Sequence, residues 1–233
     1  MRFRDRTDAG RQLGALLTGY REESPLVLGL PRGGVPVAYQ VARTLDAPLD
    51  VWVVRKVGAP GQPELGVGAV AEGGALFLDG GMLHSLGLSE TEVMQTAERE
   101  ASEVAVRIGR FRGAHPAPAL EGRTVILVDD GVATGGTMRA AIRALRERRP
   151  KQLILAVPVG ALESLESLRG EVDDLVCAHP AELMRSVGEF YDDFSQTSDA
   201  EVRELLAGAR EQRQMGEQLD LEAAMDAADN WWV

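Results

Sequence analysis

The sequence predicts an α/β domain built as a doubly wound parallel sheet, and three observations predict it. Short apolar runs rich in branched residues recur at 26–30, 49–54, 125–128, 153–157 and 175–178, alternating with segments of helical period. Two of these runs open directly into small-residue loops and then helices: Pro31-Arg32-Gly33-Gly34 follows the first, and residues 131–137 follow the third. The hydrophobic content, 45% over 233 residues, is ample for one large core. Ligands of such a sheet are expected at the carboxyl ends of its strands.

Charge narrows the partners. Residues 1–150 hold 19 basic against 18 acidic side chains, whereas 151–233 hold 6 against 18. The net charge of −11 therefore sits in the last third and gives no basic footprint for nucleic acid. An anionic substrate must be held by local groups. No apolar run reaches the ~18 residues of a membrane helix, and Met-Arg-Phe-Arg-Asp-Arg has no apolar stretch behind it to make a signal peptide. The single cysteine, Cys177, fits a reducing cytoplasm and reads as a core filler.

In chain order, residues 7–20 read as an amphipathic helix capped by Thr7 or Asp8, with Leu13, Leu16 and Leu17 on one face. Strand 26–30 leads through Pro31–Gly34 into a helix containing Val35, Val37, Ala38 and Val41, and Pro36 is tolerated in its first turn. Strand 49–54 reaches Arg55-Lys56. Gly58, Pro60, Gly61 and Pro63 then mark 57–64 as a mobile loop. Gly66–Ala71 imitates a dinucleotide fingerprint, but Glu72-Gly73-Gly74 stands where a helix should run, so a hairpin of 66–71 with 75–78 is expected. Ser89-Glu90-Thr91-Glu92 is a capping box opening a long helix to about Arg112, with Val93, Ala97, Val104, Ile108 and Phe111 on its packed face. A proline-bearing loop with His115 leads to strand 125–128.

Residues 124–138 carry the chemistry: Thr-Val-Ile-Leu-Val-Asp-Asp-Gly-Val-Ala-Thr-Gly-Gly-Thr-Met. A strand ends in two adjacent carboxylates, and a Gly/Thr loop opens a helix on Met138, Ala141, Ile142 and Leu145. Backbone N–H groups and a dipole of about +0.5 charge at such a helix start favour phosphate. Thr134 and Thr137 add hydroxyl donors, and Gly135 and Gly136 permit close approach. The two acids suit vicinal hydroxyls and a hard metal such as Mg²⁺. Together the halves call for a phosphorylated sugar. The P-loop pattern fails because Thr137 stands where its lysine should be, which makes an NTPase reading weak.

This motif resembles the 5-phosphoribosyl-diphosphate (PRPP) loop of type I phosphoribosyltransferases. The resemblance, over roughly residues 24–178, implies that Asp129 and Asp130 hold the ribose hydroxyls and Mg²⁺, directly or through water, and that Ala133, Thr134, Gly135, Gly136 and Thr137 hold the 5′-phosphate. Arg32, Gly33 and Gly34 would form the diphosphate loop, where the family often has a non-proline cis peptide, here Pro31–Arg32. Arg55 and Lys56 would bind diphosphate from the flexible catalytic loop that closes in this place. Arg55-Lys56 followed by Glu72 has the spacing of an element in adenine-type enzymes, and Ala133 agrees with that type, so Glu72 is the candidate for proton handling at the base.

After the last strand, Val187–Phe194 is an aromatic cluster in a chain with 5% aromatics. The resemblance makes it the candidate hood, with Phe190 or Tyr191 stacking on the base. Ser198–Glu201 is a second capping box, opening a helix through Leu206. The expected division is a domain over 1–208, with core 24–178 and hood from about 179, and an acidic tail over 209–233, helical or disordered. Trp231-Trp232 points to docking of that tail, a second subunit being one such partner. The implied activity is transfer of the phosphoribosyl group from Mg²⁺·PRPP to a base; the alternatives are a regulatory binder without turnover and a sugar-phosphate hydrolase.

Overall fold

A computed structural model describes residues 2–229. Five parallel strands form the central sheet: β1 (Leu26–Gly29), β2 (Leu49–Val51), β6 (Thr124–Val128), β7 (Gln152–Ala161) and β8 (Asp174–Ala181), in the order β2-β1-β6-β7-β8. The parallel register pairs Leu26 with Val125, and Val125 with Leu153. The inner strands β1, β6 and β7 are buried along nearly their whole length because both faces are covered. Alternation divides them. Val27, Ile126, Val128, Ile154 and Ala156 pack toward α1 (Arg6–Leu16) and α2 (Gly34–Leu45). Leu26, Leu28, Val125, Leu127, Leu153 and Leu155 pack toward α5 (Gly136–Arg146) and α6 (Leu162–Arg169). The sheet is thus doubly wound, as the sequence predicts.

Connections leave β1 toward β2 on one side, while β6 adds on the other. The switch point lies between β1 and β6, where a crevice opens at the strand ends. The Pro31 loop and the Asp129-Asp130 pair flank it.

Several expectations change. The first helix ends at Leu16 and a 3₁₀ segment, Thr18–Glu23, follows. Its cap is Asp5, whose carboxylate accepts from the Asp8 N–H at 2.7 Å. The 49–54 run splits after Val51. Val54 begins β3 (Val54–Ala59), which pairs antiparallel with β4 (Gln62–Ala71), and β5 (Leu76–Leu78) completes a separate three-stranded sheet. The predicted hairpin of β4 with β5 is present. Residues 57–64 are not an irregular loop: they are the β3–β4 hairpin, bulged near Gly58 and turning at Pro60-Gly61. The Gly/Pro density that signals a loop here serves a bulge and a tight turn.

Helix α4 (Glu90–Arg112) packs on this hairpin and begins with the predicted capping box, in which Ser89 and Glu92 bond reciprocally. Between α3 (Gly80–Leu86) and α4 the chain turns at Gly87. The last helix, α7 (Asp199–Asp229), is capped by Ser198 and buries Val202 and Leu206 against the α2 side of the core. It runs unbroken through position 208, so the expected boundary between domain and tail falls inside one helix. Trp231-Trp232 lies outside the described residues.

Candidate active site

The crevice is built by two strand–loop–helix units facing each other. After β1, the Pro31–Arg32 peptide is cis, as the resemblance implies. Gly33 and Gly34 then press against the end of β6. A Cβ on Gly34 would lie 2.8 Å from the Asp129 Cα, and one on Gly33 would fall on the Asp130 carboxylate. Only glycine lets the two loops close to this distance.

After β6, the loop is fixed by β7 and α6. The Val132 N–H donates to the Val159 carbonyl at 3.0 Å, the Ala161 N–H returns to Val132 at 2.8 Å, and the Ser164 hydroxyl bonds the Ala133 carbonyl at 2.6 Å. Gly135 adopts φ +74° and turns the chain into α5. The first-turn N–H groups of α5 lack intrahelical acceptors. Thr134, Gly136 and Thr137 are exposed beside them. This is a preformed anion cradle.

The acid pair has a specific bonding pattern. The Asp129 Oδ1 accepts the Asp130 N–H at 2.9 Å. The Asp130 Oδ2 accepts from the Arg6 Nε at 2.8 Å, an ion pair with both side chains largely buried. The Asp129 Oδ2 and the Asp130 Oδ1 carry no hydrogen bond among the described residues. Burial first, and then the neighbouring Asp130 charge, push the Asp129 carboxyl well above the usual range. Burial also raises Asp130, with the Arg6 guanidinium opposing it. Two crowded carboxylates with one open oxygen each suit hydroxyl donors or a hard cation.

Arg6 is the residue that sequence reasoning misses. It lies in the first turn of α1, 124 positions before Asp130. Its Nη1 donates to the Ser195 carbonyl at 2.7 Å, and its guanidinium sits 3.9 Å from the centroid of the Phe194 ring. The N-terminal strand segment joins the same cluster: Phe3 bridges Tyr191 in parallel, and the Asp192 and Asp193 N–H groups bond Phe3 and Arg4. Among the proposed hood residues, Tyr191 is 3% exposed and packs its ring on Phe3 and Phe194. Its hydroxyl donates to the Asp130 backbone carbonyl at 2.6 Å. It props the acid pair and offers no free face to a base. Phe190 is half-buried, with its ring 5.8 Å from that of His179.

Across the crevice from the cradle, Arg32 pairs with Asp199 at the start of α7 at 3.5 Å. A small cavity of about 100 Å³ brings Arg32, Gly33, Asp129 and Thr137 together with Arg107 of α4. Pro31, Val54, Arg107 and Thr137 also line an adjoining cavity of about 790 Å³ that contains Arg55, Lys56 and Arg99. Among the described residues that line it, four cations face two acids, Glu92 and Glu100. Arg55 is paired with Glu100 at 2.7 Å. Arg107 has no sequence signal beyond lying beside the packed face of α4, which is why periodicity passes over it.

Glu72 does not join this group. It is buried, and both its oxygens accept from Arg112, one at 2.8 Å. Arg112 also binds both oxygens of Asp50 through Nε, at 3.1 and 3.0 Å. Glu72 faces a different cavity, about 730 Å³, whose basic residues Arg112, Arg148 and Arg149 are matched by Glu72, Glu121 and Glu147. The wall common to that cavity and the small one around Arg32 is Trp52. Among the described residues no cluster of three or more His, Cys, Asp or Glu could cage a metal, and no helix is long and apolar enough to cross a membrane.

Residues 9–182 match the model of the phosphoribosyl transferase domain. Two Mycobacterium tuberculosis proteins, Rv0571c and MT0597, both provisionally named phosphoribosyl transferases, are 41% identical over 224 residues, or 96% of this chain. The chain spans about half the length of these curated relatives. The crystal structure of TT1426 from Thermus thermophilus is 43% identical, with a TM-score of 0.81 over 88% of this chain and 98% of that one. A switch-point crevice with paired acids and an anion cradle, inside a match over three quarters of the sequence, makes the chain a member of the type I phosphoribosyltransferase family.

Proposed function

We propose that the protein transfers the 5-phosphoribosyl group of PRPP to a nitrogen of a nucleobase-like acceptor and releases diphosphate. The observation that carries this reading is the acid pair with one uncommitted oxygen on each carboxylate, set against the anion cradle of α5. In this reading the Asp129 Oδ2 and the Asp130 Oδ1 accept hydrogen bonds from the two ribose hydroxyls. The 133–137 loop binds the 5′-phosphate through its N–H groups and the Thr134 and Thr137 hydroxyls. The diphosphate lies toward Arg32, Gly33 and Gly34, with Arg55, Lys56 and Arg107 beyond it.

The bond from C1 to the diphosphate oxygen breaks with its electron pair leaving on oxygen. The lone pair of the acceptor nitrogen forms the new bond through an oxocarbenium-like transition state, as in glycosyl transfer generally, and the proton that nitrogen carried passes to water or to the departing diphosphate. The chain's contribution is to align the reactants and hold the leaving group's charge. Hard carboxylate oxygens at Asp129 and Asp130 fit Mg²⁺, which commonly binds through one or two carboxylates together with substrate phosphates rather than in an all-protein cage. When bound, Mg²⁺ would supply neutralisation of the departing diphosphate.

A second reading, PRPP binding without turnover, is favoured by one observation: Glu72 is sequestered by Arg112 and Tyr191 is buried, so neither serves a base in this arrangement. The discriminating experiment is diphosphate release from Mg²⁺·PRPP across a panel of purine and pyrimidine bases with a no-base control. Release that requires one base is the expected result and names the acceptor. Release without any base indicates hydrolysis, and binding with no release indicates the regulatory reading.

A further inference from the structure

We infer that Arg6 is a positioning residue that sets the sugar specificity of the site: it occupies one oxygen of Asp130 and so presents the other to a single ribose hydroxyl. This rests on the reading of Asp129 and Asp130 as ribose ligands, and it adds a residue outside the strand-end motif.

The geometry leaves Arg6 little freedom. Its Nε bonds the Asp130 Oδ2 at 2.8 Å, its Nη1 bonds the Ser195 carbonyl at 2.7 Å, and its plane is held over Phe194. A guanidinium with two of its nitrogens committed in different directions fixes the carboxylate it touches, which a single ammonium donor does less well. The Asp130 backbone is anchored independently, by the Tyr191 hydroxyl on its carbonyl and by Asp129 on its N–H. Gly33 closes the remaining side of the Oδ2 atom. The carboxylate therefore has its torsion set, and the Oδ1 atom is the one that a ligand can reach.

Without Arg6, Asp130 can rotate, exchange its oxygens, or lose its orientation toward the sugar. The phosphate cradle of α5 lies apart from this contact and keeps its own bonds to β7 and α6. Loss of Arg6 should then act on hydroxyl recognition and spare phosphate recognition.

The test is calorimetric binding of ribose 5-phosphate and of its 2-deoxy and 3-deoxy forms to the wild type, Arg6→Met, Arg6→Lys, and the double variant Asp129→Asn/Asp130→Asn. In Arg6→Met, ribose 5-phosphate affinity should fall about ten- to a hundredfold, the range expected for a hydrogen bond to a charged group. One of the two deoxy sugars should bind within about twofold of its wild-type affinity, so the preference for its hydroxyl is lost. Arg6→Lys keeps the charge and should recover part of that preference, which guards against a folding defect in the methionine variant. Equal losses for all three sugars would reduce Arg6 to a structural role and overturn the proposal, as would an unchanged preference. An unaltered ribose 5-phosphate affinity in the double aspartate variant would remove the underlying reading as well, a result separate from failure of Arg6 alone.

Discussion

Two clusters in this molecule have the same ingredients, two carboxylates and one arginine, and opposite degrees of saturation. In the Asp50–Glu72–Arg112 cluster every carboxylate oxygen accepts from the arginine, and Arg112 also reaches the Val51 carbonyl. The cluster ties β2, the end of β4 and α4 together. In the Asp129–Asp130–Arg6 cluster the arginine takes one oxygen, a backbone N–H takes another, and two remain open at the switch point. Composition does not separate a saturated cluster from an open one. The count of satisfied acceptors does.

This comparison can be broken most forcefully at Arg112. Replacing it with Met leaves two buried carboxylates unpaired, at a cost of about 3–5 kcal/mol. For a chain of this size that is a fall in Tm of roughly 6–20 °C, read by thermal denaturation. Replacing Asp50, Glu72 and Arg112 together with apolar residues should recover much of it. A smaller effect is expected for Glu72→Gln, which keeps one acceptor. It should lower stability by about 1–3 kcal/mol while leaving the turnover of folded protein within about threefold. A hundredfold loss of kcat at unchanged Tm would instead return Glu72 to proton handling.

The open cluster predicts the reverse sign. The folded-state pKa of Asp129 is raised, so the folded chain holds its proton more tightly than the unfolded chain. Stability is then fullest below the ordinary carboxylate pKa of 3.8 and is lost as pH rises through the raised value. Asp129→Asn should therefore raise Tm at pH 7.5 in metal-free buffer, by roughly 2–4 °C per kcal/mol relieved. The gain over wild type should shrink toward pH 4. A variant destabilised at pH 7.5 would contradict the crowding argument. The mildest expectation concerns Arg107. Arg107→Ala should weaken PRPP about tenfold and leave ribose 5-phosphate, which lacks the diphosphate, unaffected; equal weakening of both would move Arg107 off the diphosphate side.

What the sequence makes legible follows from range. The β6–loop–α5 unit is contiguous, so the apolar run, the acid pair and the glycine loop are visible together, and the Pro31–Gly34 unit is visible for the same reason. The two clusters are not. Arg6 and Asp130 are 124 positions apart, and Arg112 and Glu72 are 40 apart. The spacing of Glu72 from Arg55-Lys56 suggests a role but says nothing about an arginine arriving from α4. The aromatic cluster marks Tyr191 as a residue to stack on a base, but its ring is buried and its hydroxyl supports Asp130. Residues 57–64 show the limit at short range, since glycine and proline punctuate a bulged hairpin as readily as a loop.

The most direct measurement is calorimetric titration of Mg²⁺·PRPP into the wild type and into Asp129→Asn/Asp130→Asn. The open-oxygen account predicts binding by the wild type and loss of it in the double variant, with the fold intact by circular dichroism. Equal affinity in the two proteins would contradict it.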